Sequence, residues 1–152
     1  MPAAVSPAGR LQAYLHRSIP LSAAMQVRVT HCEQGVVELT APLSPNVNHR
    51  HTMFGGSISA LALLAGWGAF HLALEASAVN AEIVIRHNTI DYVAPAAGDV
   101  TAHCAAVSDE ERARFARTFR RLGKARMPLV VTLRCGSTVV ARFHGDYAAL
   151  AG

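Results

Sequence analysis

Residues 46–76 read NVNHRHTMFGGSISALALLAGWGAFHLALEA, and the change of character at Gly55-Gly56 decides the fold. Ahead of the double glycine, residues 42–55 carry Pro42, Pro45, Asn46, Asn48, His49 and His51 with no sustained period, which is the signature of a polar loop. Beyond it the chain is apolar on almost every side, a pattern a helix shows only when it is surrounded. The run from Ile58 to Leu74 approaches the shortest membrane span, but Ser59, Gly66, Gly68 and His71 interrupt it and strand-like segments flank it. A buried core helix, wrapped by a curved sheet, is the expectation, with no membrane involved.

Working outward, Met25, Val27 and Val29 alternate with polar residues, and after Glu33-Gln34-Gly35 residues 36–41 are again strand-like, so a β-hairpin precedes the loop. After the helix, residues 82–93 and 100–107 are rich in β-branched side chains and are separated by the turn-prone residues 94–99. Residues 129–135 and 138–147 flank Gly136-Ser137, a pair suited to a two-residue hairpin turn. Between these pairs, Ser108 followed three residues later by Glu111 forms a capping-box pattern, and acidic residues give way to basic ones, so a short helix or ordered excursion is expected. Residues 11–19 read as a short helix ending before Pro20. The predicted order is helix, two strands, buried helix, two strands, excursion, two strands, mostly joined as hairpins, in an α+β arrangement.

The bulk numbers fit one domain. A chain of 152 residues buries roughly two-thirds of its extended surface. With 51% hydrophobic and 16% charged residues it has either a large core or a surface covered by a partner. The net charge of +4 is concentrated, because Arg112, Arg114, Arg117, Arg120, Arg121, Lys124 and Arg126 make up half of all Lys plus Arg, which points to an anionic partner. Cys32, Cys104 and Cys135 are far apart and lack metal-ligand spacing, so no metal site and no disulfide framework are expected, and a cytoplasmic location fits. Residues 1–9 lack the charged and apolar regions of a signal peptide and read as a loose end.

The loop NVNHRHTMFGGS (residues 46–57), the helix with Ala65-Gly66-Trp67-Gly68, then EIVIR (82–86), IDYVAP (90–95), GKAR (123–126) and the last hairpin together resemble the thioesterase-like domain found at the C-terminus of YiiD-type acetyltransferases and as a stand-alone protein. That family is a branch of the hot-dog superfamily. The resemblance covers nearly everything from about Pro20 onward, so residues 1–19 read as a tail with a short helix and residues 20–152 as the domain. It implies a six-stranded antiparallel sheet around one long helix. It also implies a homodimer or dimer of dimers with acyl-thioester sites at the interface, acting on acyl-CoA or an acyl-carrier protein without a cofactor. Two departures stand out: relatives usually have glycine where this chain has His51, and the helix carboxylate of many hot-dog thioesterases is missing, residues 60–64 reading ALALL.

Thioester hydrolysis needs a polarised carbonyl and a positioned water. A helix N-terminus offers backbone N–H groups and the positive dipole end to an oxyanion, which assigns that role to Gly55, Gly56 and Ser57. Asn46, Asn48 and His49 are the nearest polar groups for the water, His49 as base. Ser57 and Ser59 lack the surroundings of a nucleophilic serine and read as capping and packing residues. Asp91 is a candidate for the missing carboxylate. His51, Thr52, Phe54, Gly55 and Asn88 are candidate substrate contacts, and Lys124 and Arg126 candidate phosphate ligands. The basic segment has only Phe115 and Phe119 for stacking, so nucleic acid is not expected. A non-catalytic acyl-binding module is the competing reading. Hydratase chemistry would need a close His and carboxylate pair, which the sequence does not identify.

Overall fold

A computed structural model describes residues 4–152. Ser6 caps a first helix, α1 (Pro7–Ser18), accepting from the Gly9 N–H at 3.0 Å, and Pro7 opens it, where a missing N–H costs nothing. The helix therefore starts well before residue 11. Pro20 does end it, but the same proline then opens a second short helix, α2 (Pro20–Ala24), which was not expected. Leu11 and Leu15 of α1 are buried in the common core.

The first hairpin forms as anticipated. Strands β1 (Arg28–Glu33) and β2 (Val36–Ala41) pair antiparallel, and Gln34 and Gly35 turn the chain with φ of 53° and 81°, the left-handed pair that matches the strand twist. Helix α3 (Gly55–Ala76) follows the polar loop. By length and composition it could cross a membrane, yet it lies against β2 and the later strands with Leu61, Ala62, Ala65 and Phe70 fully enclosed.

The remaining elements are β3 (Glu82–Tyr92), β4 (Val100–Cys104), α4 (Asp109–Leu122), β5 (Lys124–Cys135) and β6 (Thr138–Leu150). They complete a six-stranded antiparallel sheet in the order β1-β2-β4-β5-β6-β3, folded around α3. The α+β architecture implied by the resemblance is thus present. One connection differs from expectation: β3 and β4 do not form a hairpin. β3 pairs with β6 at the far side of the sheet, and residues 93–99 cross the sheet end, where Val93 N–H bonds Val140 O and Ala96 O accepts from Met53 N–H. β5 also begins earlier than expected, directly after Gly123 closes α4 at φ 71°. Pro128 is tolerated within it because β4 pairs β5 only from Val131 onward, so nothing on that side needs the missing N–H.

Candidate functional site

The site is built at the start of α3. The loop before it closes as a miniature hairpin, in which Val47 bridges Met53, Asn48 N–H bonds Thr52 O at 2.8 Å, and Phe54 N–H bonds Asn46 O at 2.8 Å. Both asparagines hold it together. Asn46 is buried and donates both side-chain hydrogens, to Met25 O at 2.9 Å and Pro42 O at 2.8 Å. Asn48 accepts from the N–H groups of Arg50 and Thr52 through Oδ1 and donates to Thr52 Oγ1 through Nδ2. Both Asn46 donors and both ends of the Asn48 amide are thus used to hold the loop, while Asn46 Oδ1 has no hydrogen-bond partner among the described residues. His49 and His51 sit at the exposed hairpin tip, with no hydrogen-bond partner for either ring among the described residues. His51 has φ 62°, so it keeps the left-handed conformation that glycine favours at that position.

The first turn of α3 carries no side-chain cap and no acidic residue. Ser57 and Ile58 N–H both reach back to Phe54 O, which leaves the N–H groups of Gly55 and Gly56 without an acceptor among the described residues. Aromatic rings flank them. A Cβ on Gly56 would stand 2.3 Å from the Phe54 ring, and one on Gly55 would meet the Tyr92 ring at 3.4 Å. Tyr92 also donates its hydroxyl to Gly55 O at 3.2 Å. The sequence reading did not select Tyr92; only the β3–α3 contact reveals it.

The face that β3 turns to the helix is set by an irregularity between Ile85 and His87. Ile83 and Ile85 line a hollow with α3, and the extra residue switches the alternation, so Asn88, Ile90 and Tyr92 also face inward. Asn88 lies opposite Gly145, four residues along the strand from Tyr92. Asp91 therefore lies on the opposite face, level with Arg142, and the structure does not bring it to the helix start. Nor does one chain bring Lys124 and Arg126 there. They share the sheet end of Glu82 and Leu150, about 33 Å along β3 from Tyr92 at ~3.3 Å per residue, and Arg126 stands 3.9 Å from Asp146.

Thiol chemistry has little support. Cys32 and Cys104 are buried, and burial pushes the Cys104 thiol up to about 12, far from a reactive thiolate. Among the described residues no group of three or more His, Cys, Asp and Glu side chains converges as a metal site.

Residues 8–151 match the family described as "Putative thioesterase (yiiD_Cterm)". Among solved structures, a protein of unknown function from Chlorobaculum tepidum is 29% identical with a TM-score of 0.89, over 99% of this chain and 100% of its own. One titled a putative thioesterase from Shewanella oneidensis is 32% identical with a TM-score of 0.84, over 94% of this chain and 96% of its own. A Pseudomonas aeruginosa protein titled a probable thioesterase, 23% identical with a TM-score of 0.82 over 100% and 99% of the two chains, shares the fold.

Proposed function

Because the chain belongs to this thioesterase-like family, whose relatives support thioester hydrolysis as its general chemistry, we propose that it hydrolyses acyl-CoA or acyl-carrier-protein thioesters. The observation that carries the proposal is the open start of α3, where two N–H groups and the helix dipole are left for a developing oxyanion. Donors of this kind are worth roughly a hundredfold or more in rate each. Asn46 and Asn48 fix the loop, and His49 at its free tip is the group we assign to activating water. No metal or other cofactor takes part in this scheme.

The active form we propose is a homodimer, or a dimer of dimers, joined along β3. Its free edge is long and carries exposed Val84, Ile85 and Tyr92, a surface that soluble proteins seldom leave bare. Antiparallel β3–β3 pairing would set the Glu82 end of one chain beside the Tyr92 end of the other. Lys124 of the second chain would then lie three strand spacings, about 14 Å, from the first chain's β3. That supports a shared site, in which one chain presents the helix start and the other the cations for phosphate. Three free cysteines support a cytoplasmic setting.

The test is a panel of acyl-CoA and acyl-carrier substrates read by released thiol, with Gly56→Val as the control for contaminating activity. Lys124→Glu with Arg126→Glu should raise KM for CoA thioesters about tenfold, with kcat little changed and no effect on a short thioester lacking the nucleotide. A monodisperse monomer by light scattering, at micromolar concentration, contradicts the shared site. Acyl-CoA binding without any hydrolysis would favour the binding-module reading, which the absent helix carboxylate also favours.

A further inference from the structure

A hollow of about 450 Å³ runs along α3 beyond its first turn, between Ala60, Leu63 and Leu64 on the helix and Ile83 and Ile85 on β3. A second hollow of about 460 Å³ follows further down the helix and is polar, with His71, Glu75, Asn80 and Glu82 in its wall. The two share Tyr14, Trp67 and Ile83, so these side chains form the partition between an apolar and a polar compartment.

The partition is braced. The Trp67 ring stacks on Tyr14 at 5.6 Å between centroids and on His71 at 4.9 Å. His71 in turn meets Glu75 at 3.2 Å, and the Arg17 guanidinium lies over Tyr14 at 5.7 Å. The backbone under Trp67 is held as well. The buried Tyr147 hydroxyl donates to Leu63 O at 2.7 Å, the carbonyl one turn before Trp67, so it braces the turn that carries the indole. Gly66 makes room for it, since a Cβ there would stand 2.3 Å from the Tyr147 oxygen. A ring held in a three-ring cluster, in which Tyr14 and His71 also stack on each other at 5.3 Å, and carried on a turn anchored by Tyr147, does not yield to a ligand as a loose side chain does.

We propose that Trp67 is the chain-length stop of the acyl site: the apolar hollow takes the acyl tail, and Trp67 ends it. The inference rests on the thioesterase reading and names its substrate class, a linear aliphatic acyl group of medium length. With the thioester carbonyl at the Gly55 and Gly56 N–H groups, a tail following α3 meets Ala60, Leu63, Leu64 and then Trp67, all on one helix face. From Gly56 to Trp67 the helix rises about 16 Å at 1.5 Å per residue, the reach of an extended chain of roughly twelve carbons. A longer tail would have to displace the braced indole and enter a compartment lined by carboxylates and a histidine, which is unfavourable for methylene groups.

Trp67 is the only tryptophan, so its emission reports on the partition whether or not turnover occurs. Non-hydrolysable alkyl-CoA thioethers of four, eight, twelve and sixteen carbons are titrated while emission is followed, and the matching thioesters are assayed for hydrolysis. The twelve-carbon ligand should shift the emission and the four-carbon ligand should not, with the eight-carbon ligand, whose tail ends near Leu63, giving at most a small response. In the unmodified protein kcat/KM should fall at least tenfold from twelve to sixteen carbons. Trp67→Ala should reduce that fall to less than threefold while four-carbon activity is retained. Should Trp67→Ala fail to fold, Ala60→Phe narrows the hollow while keeping the reporter, and should abolish the emission response. An emission insensitive to every ligand, a response that survives in Ala60→Phe, or a length profile unchanged in a folded Trp67→Ala protein overturns the proposal. Emission shifts without hydrolysis of any substrate sink the hydrolase reading and leave the stop standing. Hydrolysis at all lengths with silent emission does the reverse.

Discussion

Two helices of this chain begin in opposite ways. α4 is finished at both ends: Ser108 accepts from Glu111 N–H at 3.1 Å, Asp109, Glu110 and Glu111 fill its first turn, and Gly123 closes it. α3, longer and far more buried, starts at Phe54 with no side-chain cap and no acidic residue. A missing cap costs about 1 kcal/mol, and a chain that caps α1 with Ser6 and α4 with Ser108 evidently has the means to supply one. Under the proposed function the open terminus of α3 serves the site, a contrast that holds between the two long helices, since the five-residue α2 also starts without a side-chain cap. On that reading α4, which only has to be stable, is capped, and α3, which would meet the substrate, is not.

The sharpest way to break the comparison is to give α3 the cap that α4 has. In Phe54→Asp a carboxylate would accept from the free N–H groups and complement the dipole, stabilising the chain by up to about 1 kcal/mol. It would also occupy the place of the oxyanion. We expect kcat/KM to fall by roughly a hundredfold to a thousandfold, since that is the cost of losing one or more such donors. Phe54→Ala is the control, because it removes the ring over Gly56 without supplying an acceptor and should change activity only a few-fold. Equal activities in the two variants would separate the open terminus from the chemistry.

His49→Gln asks whether the hairpin tip serves that terminus. The side chain is exposed and makes no hydrogen bond within the described residues, so stability should be unchanged while kcat falls by on the order of a hundredfold. Full activity would remove His49 from the chemistry and leave Asn88 and Tyr92, the polar β3 side chains on the helix face, as the next groups to test for orienting the water. The complementary change on α4, Ser108→Ala, should lower stability by about 1 kcal/mol in denaturant unfolding and leave kcat alone. If it lowered kcat at unchanged stability, the division of labour between the two helix starts would be wrong.

How legible these features were follows from how local their causes are. Ser108, Glu111 and Gly123 act within one or two turns of themselves, and α4 was accordingly anticipated from the pattern. The apolar run of α3 and the Gln34-Gly35 hairpin are equally local signals. The face of β3 is not, because strict alternation from Ile83 and Ile85 would turn Asp91 toward the helix. The irregularity beside Arg86 that turns Asn88 and Tyr92 inward instead depends on the pairing with Asp146 of β6, more than fifty residues away. The β3–β4 crossover, the Tyr92 hydroxyl on Gly55 and the Trp67 partition are likewise products of long-range packing. Asn46 and Asn48 were found by sequence, but the partners of their amides, two backbone carbonyls for Asn46 Nδ2 and Thr52 Oγ1 with two backbone N–H groups for Asn48, are a distinction that residue type alone does not carry.

His51 offers the smallest and most discriminating test of what the loop is for. Its φ of 62° is a conformation that costs most L-residues about 1 kcal/mol or more, with histidine among the more tolerant. Glycine removes that strain but loses roughly as much again through the freedom it gains when unfolded, so His51→Gly should change stability by less than about 1 kcal/mol in either direction. A β-branched residue has neither advantage, and His51→Val should cost about 1–2 kcal/mol. If the backbone is what matters, kcat in His51→Gly stays within a few-fold of the parent, because the hydrogen bond from His51 N–H to Asn48 O survives and keeps the hairpin that carries His49. A large loss of kcat in His51→Gly with stability intact would instead assign the imidazole itself to the substrate.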